Sequence, residues 1–100
     1  MEIEINKEKD ITTVAFKGRL DTPSAQAAMN TLSPVRENAS GTIVLDCREL
    51  SYISSSGLRI FLTLRKDAST QGGKVIVKDI NDDIRNVFMM TGFLNLFEIR

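Results

Sequence analysis

The chain has 100 residues, 42% hydrophobic and 26% charged, with 13 Lys and Arg against 13 Asp and Glu. That length holds one core and no second domain, and zero net charge without a basic or acidic tail argues against a broad field for nucleic acid or an anionic membrane. No histidine is present and Cys47 is the only cysteine, which removes the commonest general base and metal ligand, any internal disulfide and any cysteine-based metal cage.

The chain opens with "MEIEIN", an alternating run that places Ile3 and Ile5 on one strand face. Its first ten residues are unlike a signal peptide, and no apolar run approaches membrane-spanning length, so the expectation is a soluble cytoplasmic protein with no membrane partner. "EKD" (Glu8 to Asp10) reads as a polar turn, and "ITTVAFKG" as a second strand completing a hairpin with a partly solvated face. Thr22 before Pro23 predicts a helix N-cap with proline at the first helical position. Ala25, Met29 and Leu32 follow at helical spacing, and Pro34 ends or kinks the helix. "ENASG" is a loop.

"TIVLDC" is a continuous apolar run closed by Asp46 and Cys47, the pattern of a central strand. A short connection, "RELSYI", leads to Ser54, Ser55, Ser56 and Gly57, and a helix is expected to begin near Ser56. Along "GLRIFLTLRKDAST" the apolar residues span roughly 200° of the helix, opposite Arg59, Lys66 and Thr70. So wide an arc either serves a second protein or is clamped between the sheet and neighbouring helices. "KVIVKD" is a further buried strand. "NDDIRNVFMMTG" carries an Asn81 N-cap, two aspartates in its first turn and Gly92 past its end, with Met89 pointing away from the apolar face and Met90 at its edge. "FLNLFEIR" closes the chain with a short strand. The order β-β-α-β-α-β-α-β predicts a single α/β domain over residues 1–100, a mixed sheet of four to five strands with helices mainly on one face.

The serine run lies where a strand C-terminus meets a helix N-terminus, the place where such sheets carry function. A serine there either caps the helix and does nothing else, or exposes a hydroxyl whose phosphate the free N–H groups would welcome. Gly57, lacking a Cβ, is expected to let another molecule approach the backbone. "SSSGLR" lacks the spaced glycines and lysine of a phosphate-binding loop. Without histidine, a serine nucleophile has no base of the usual kind.

"YISSSGLRIFL" resembles the central motif of the STAS domain family, the anti-sigma factor antagonists. "FKGRLDTPSA" is similar to that family's Gly-x-Leu-Asp segment, "IVLDCREL" to its third-strand signature, and "MTGF" to its Thr/Ser-Gly-Leu turn, in order through nearly the whole chain. The resemblance implies a partner-switching binder, not an enzyme, with no cofactor. The phosphoacceptor falls on Ser55, with Ser56 and Gly57 opening the helix, Ser56 as the expected cap, and Leu58 anchoring the helix in the core. Asp21 matches the acidic residue beside the phosphosite, and Thr22, Ser54, Ser56, Gly57 and Arg59 make up the surround that meets the partner. Many members carry Asp before the acceptor; Ser54 stands there instead, and Ser54 and Ser56 offer competing hydroxyls. The implied partners are an anti-sigma factor that is also a serine/threonine kinase, and a serine phosphatase; a monomer is expected. Two other uses are consistent with the sequence. One is a scaffold subunit on a lipid-transport ATPase, distinguished by co-purification with it. The other is a nucleotide or small-ligand module, distinguished by calorimetry.

Overall fold

The computed structural model describes residues 1–100. Strands β1 (Glu2–Glu8) and β2 (Ile11–Leu20) form the antiparallel hairpin, turning through Lys9 at φ 55°. Helix α1 (Thr22–Thr31), a short α2 (Ser33–Glu37), β3 (Thr42–Ile53), α3 (Ser55–Thr70), β4 (Lys74–Lys78), α4 (Asp82–Thr91), a 3₁₀ turn (Phe93–Asn95) and β5 (Glu98–Ile99) follow. The sheet order is β1-β2-β3-β4-β5, and every junction after the hairpin is parallel. Each crossover steps the same way along the sheet. Since such crossovers are right-handed, every helix lands on the same face.

That face holds a core of 23 buried residues, with Val14, Phe16, Leu45 and Val77 from the strands meeting Leu32, Leu64 and Phe88 from the helices. Phe61 of α3 is its hub. Its ring lies 5.3 Å from Phe16, 6.1 Å from Phe88 and 6.4 Å from Phe97, the last two edge-on, a geometry aromatic pairs favour. The wide apolar arc of α3 is thereby explained. Leu58, Ile60, Phe61, Leu64 and Ala68 are buried by the sheet and by α1 and α2, and only Leu62 is left 37% exposed. Cys47 is also sealed in the core. Burial, with the charges of Asp46 and Asp79 nearby, pushes its thiol up to about 12.

Several local expectations need correction. Of the two outcomes left open at Pro34 the helix ends and does not kink: α1 closes at Thr31 with Leu32 as its cap, and Pro34 sits in the first turn of a new helix, α2, where its missing N–H costs nothing. β3 does not close at Cys47 but runs on through "RELSYI" to Ile53. Against β2 it carries an extra residue at two places, between Asp46 and Glu49 and between Leu50 and Tyr52. These bulges change the inward spacing from two to three, so that Cys47, Leu50 and Ile53 all face the core. On α4 the caps are those expected: the Asn81 side chain accepts from the Ile84 amide at 2.8 Å, and Gly92 ends the helix at φ 81°. Met90, however, is the more exposed methionine, at 82% against 59% for Met89, because it lies nearly opposite the buried pair Ile84 and Phe88.

Candidate functional site

The C-terminal ends of β2 and β3 lie side by side, and α1 and α3 start from them. The Ser54 amide donates to the Leu20 carbonyl at 2.9 Å and ties the two junctions together. Each helix start is then completed by its own cap. Asp21, in extended conformation, caps α1: its carboxylate accepts from the Ser24 amide at 3.2 Å and the Ser24 hydroxyl at 2.8 Å, while the Asp21 amide donates to Ser24 Oγ at 3.1 Å. The cap is Asp21 and not Thr22, because the residue reaching the free N–H groups must still be outside the helix. The Ser24 hydroxyl bond is the main influence holding the Asp21 carboxyl below the ordinary carboxylate range. The Ser24 amide and the Arg19 guanidinium, 3.8 Å away, act in the same sense.

On α3 the cap is Ser54 and not Ser56. The Ser54 backbone is extended (φ −91°, ψ 174°), and its hydroxyl accepts from the Gly57 amide at 3.2 Å. Ser56 is already inside the first turn. Its hydroxyl instead meets Thr22 Oγ1 across the junction at 3.3 Å. Ser55 opens α3, is exposed, and its hydroxyl makes no hydrogen bond within the chain. The three serines therefore divide the work: the first caps, the third joins the two helix starts, and the second is free. Two helix N-termini converge here, each with unpaired N–H groups and the positive end of its dipole.

Gly57 has a different role from the outward one expected of it. It is buried, and a Cβ there would lie 2.8 Å from Ile53 Cγ1 and 2.9 Å from both Leu20 Cγ and the Leu20 carbonyl oxygen. The missing side chain lets α3 sit directly on the ends of β2 and β3. By helix propensity alone, Gly57→Ala would stabilise by about 1 kcal/mol. The clash outweighs this, since the Leu20 carbonyl is held by Ser54, and a net loss of about 1–3 kcal/mol is expected. In a thermal melt an unchanged midpoint would show that this face has room to spare. Arg59 is exposed one turn beyond Ser55 and forms no ion pair, so the structure places it near the serines without joining it to them.

Two residues at the site escape sequence reasoning. Arg19 and Tyr52 are neighbours across the β2–β3 junction, and the Arg19 guanidinium lies 4.2 Å from the centre of the Tyr52 ring. Both are partly exposed, and Arg19 also reaches Asp21. Their pairing depends on the second bulge in β3, which no local pattern announces.

The chain is 26% identical over 99 residues to BtrV of Bordetella bronchiseptica, provisionally named an anti-sigma factor antagonist, covering 99% of this chain and 85% of that one. It is 23% identical over 99 residues to the anti-sigma-B factor antagonist of Staphylococcus aureus, covering 99% and 92%. Its fold matches the anti-sigma factor antagonist SpoIIAA of Bacillus in the unphosphorylated form (TM-score 0.76, 17% identity, 99% and 87% covered) and in the phosphorylated form (TM-score 0.75, 18% identity, 99% and 91% covered). The STAS domain profile matches residues 2–100. With the strand order, the helices on one face and the serine run at the mouth of α3, this places the chain in the STAS domain family.

Proposed function

We propose that this protein is a cytoplasmic anti-sigma factor antagonist switched by phosphorylation of Ser55. Unmodified, it docks through the mouth of α3 on an anti-sigma factor that is also a serine kinase, and so frees a sigma factor. The kinase transfers the terminal phosphoryl group of ATP to the Ser55 hydroxyl, and a phosphatase removes it. In this scheme the chain is the substrate of both enzymes and the catalyst of neither.

The observation that carries the reading is the free hydroxyl. Ser54 is occupied by the Gly57 amide and Ser56 by Thr22, while Ser55 projects into solvent beside two helix N-termini. A phosphoserine adds about −1.5 to −2 charges and three acceptor oxygens. The N–H groups and dipoles at this spot favour such a charge, so the fold has little reason to move. In a desolvated interface the same charge would meet groups arranged for a neutral hydroxyl, at a cost of several kcal/mol.

Incubation with ATP, Mg²⁺ and a candidate anti-sigma factor kinase, followed by intact-mass measurement and fragmentation, should place one phosphate on Ser55. Ser55→Ala should take up none. A phosphate retained by the alanine variant would transfer the role to Ser54 or Ser56, and no phosphate on the wild type would overturn the switch.

A further inference from the structure

The sheet face away from the helices carries a charge pattern that the proposed switch does not use. Strand register sets its residues in rows running across β1, β2, β3 and β4. One row reads Glu8, Ile11, Thr42, Lys74; the next Asn6, Thr13, Val44, Ile76; the third Glu4, Ala15, Asp46, Lys78. Both outer rows begin with a glutamate on β1 and end with a lysine on β4; the row between is uncharged across these four strands and reaches Glu98 only on β5, outside the patch. All four terminal charges are exposed. Glu4 is already paired with Lys17 at 2.9 Å, but its side chain remains 59% exposed and can accept again. The middle of the face is a shallow depression lined by Thr13, Val44, Asp46, Ile76, Lys78 and Arg100. Ile76 is only 5% exposed yet stands outside the core cluster, beneath the neighbouring side chains of this open face.

We infer that this face binds a second copy of the chain, sheet against sheet, about a two-fold axis parallel to the strands and passing between β2 and β3. Such an axis keeps each row at its own height and exchanges its ends. Glu8 then lies over Lys74 of the other copy and Glu4 over Lys78, each pair occurring twice, while Thr13 and Val44 cover one another at the centre. An axis at right angles to the strands would instead set β1 on β1 and like charge on like. The favoured arrangement is the aligned packing of two sheets about 10 Å apart, with an isologous interface. Both serine clusters emerge at the same end of the pair, on its outer helical faces, and stay open.

Four strands at about 4.8 Å spacing make a small patch, so a weak dimer is expected, with a dissociation constant on the order of 100 µM. Sedimentation equilibrium of the full chain from about 10 µM to about 1 mM, at low salt, should show the mass rising from one chain towards two. Salt of about 0.5 M should weaken the association several-fold, because exposed charge pairs are screened. K74E/K78E makes both ends of each row acidic, and E4K/E8K makes both basic. Each variant alone should lose at least tenfold in self-association, and an equimolar mixture should pair one to one at least as tightly as the wild type. A wild type that stays a single chain at about 1 mM would overturn the inference and leave the face to some other partner. So would a K74E/K78E variant that self-associates as well as the wild type, or a mixture that does not pair. The wild-type mass and its salt response require no variant to fold.

Discussion

Ser55→Asp is expected to weaken binding to the proposed kinase partner by a hundredfold or more while leaving the thermal midpoint at or slightly above that of the wild type. A hundredfold loss corresponds to about 2.8 kcal/mol, which one uncompensated charge in a desolvated contact readily supplies. The folded chain sees the same charge differently. Ser55 stands in the first turn of α3 beside the start of α1, where a carboxylate stabilises a helix by about 0.3–1 kcal/mol. Titration calorimetry and a melting curve together decide the matter. If both affinity and midpoint fall, Ser55 is a structural residue and the switch lies elsewhere. If affinity holds, the docking surface does not include the mouth of α3. Ser55→Ala is the companion variant and should bind as the wild type does.

Phe61→Ala should be the most destabilising single truncation of the core. Its ring is fully buried against Phe16, Phe88 and Phe97, which come from β2, α4 and the C-terminal segment. Removing a buried phenylalanine costs about 3–5 kcal/mol when the cavity cannot collapse, and here the strands below and helices beside it hold the walls apart. For a domain of this size the midpoint should fall by on the order of 20 °C, read by far-UV circular dichroism. A fall of less than about 5 °C would mean that the surrounding rings repack and that the core has no single keystone.

Much of this architecture is legible in the chain. Alternation in "MEIEIN", the apolar runs "TIVLDC" and "KVIVKD", and the Asn81 and Gly92 punctuation of α4 reflect local physics, and local sequence reports local physics. The errors cluster where distant segments decide. Thr22 and Ser56 are reasonable caps by residue type, yet Asp21 and Ser54 hold those positions. Where several capping side chains stand in a row, the choice goes to the residue whose backbone is held extended, and for Ser54 that hold is its bond to Leu20, more than thirty residues earlier. The second half of β3 reads as a connection because two bulges break its alternation, and bulges are defined only against a partner strand. Gly57 invites an outward role until Leu20 and Ile53 are seen pressed against it. The exposed serine could be identified from its neighbours and its motif, whereas the Arg19–Tyr52 pair beside it required the register.

The aromatic cluster has a consequence for how the domain comes into being. Phe16 and Phe97 lie near opposite ends of the chain, and both touch Phe61. Only the β1–β2 hairpin joins strands adjacent in sequence without a helix between them, so the rest of the sheet depends on longer-range crossovers. A piece lacking either ring leaves the hub open, and folding should therefore be a single cooperative event that needs both flanking segments in place.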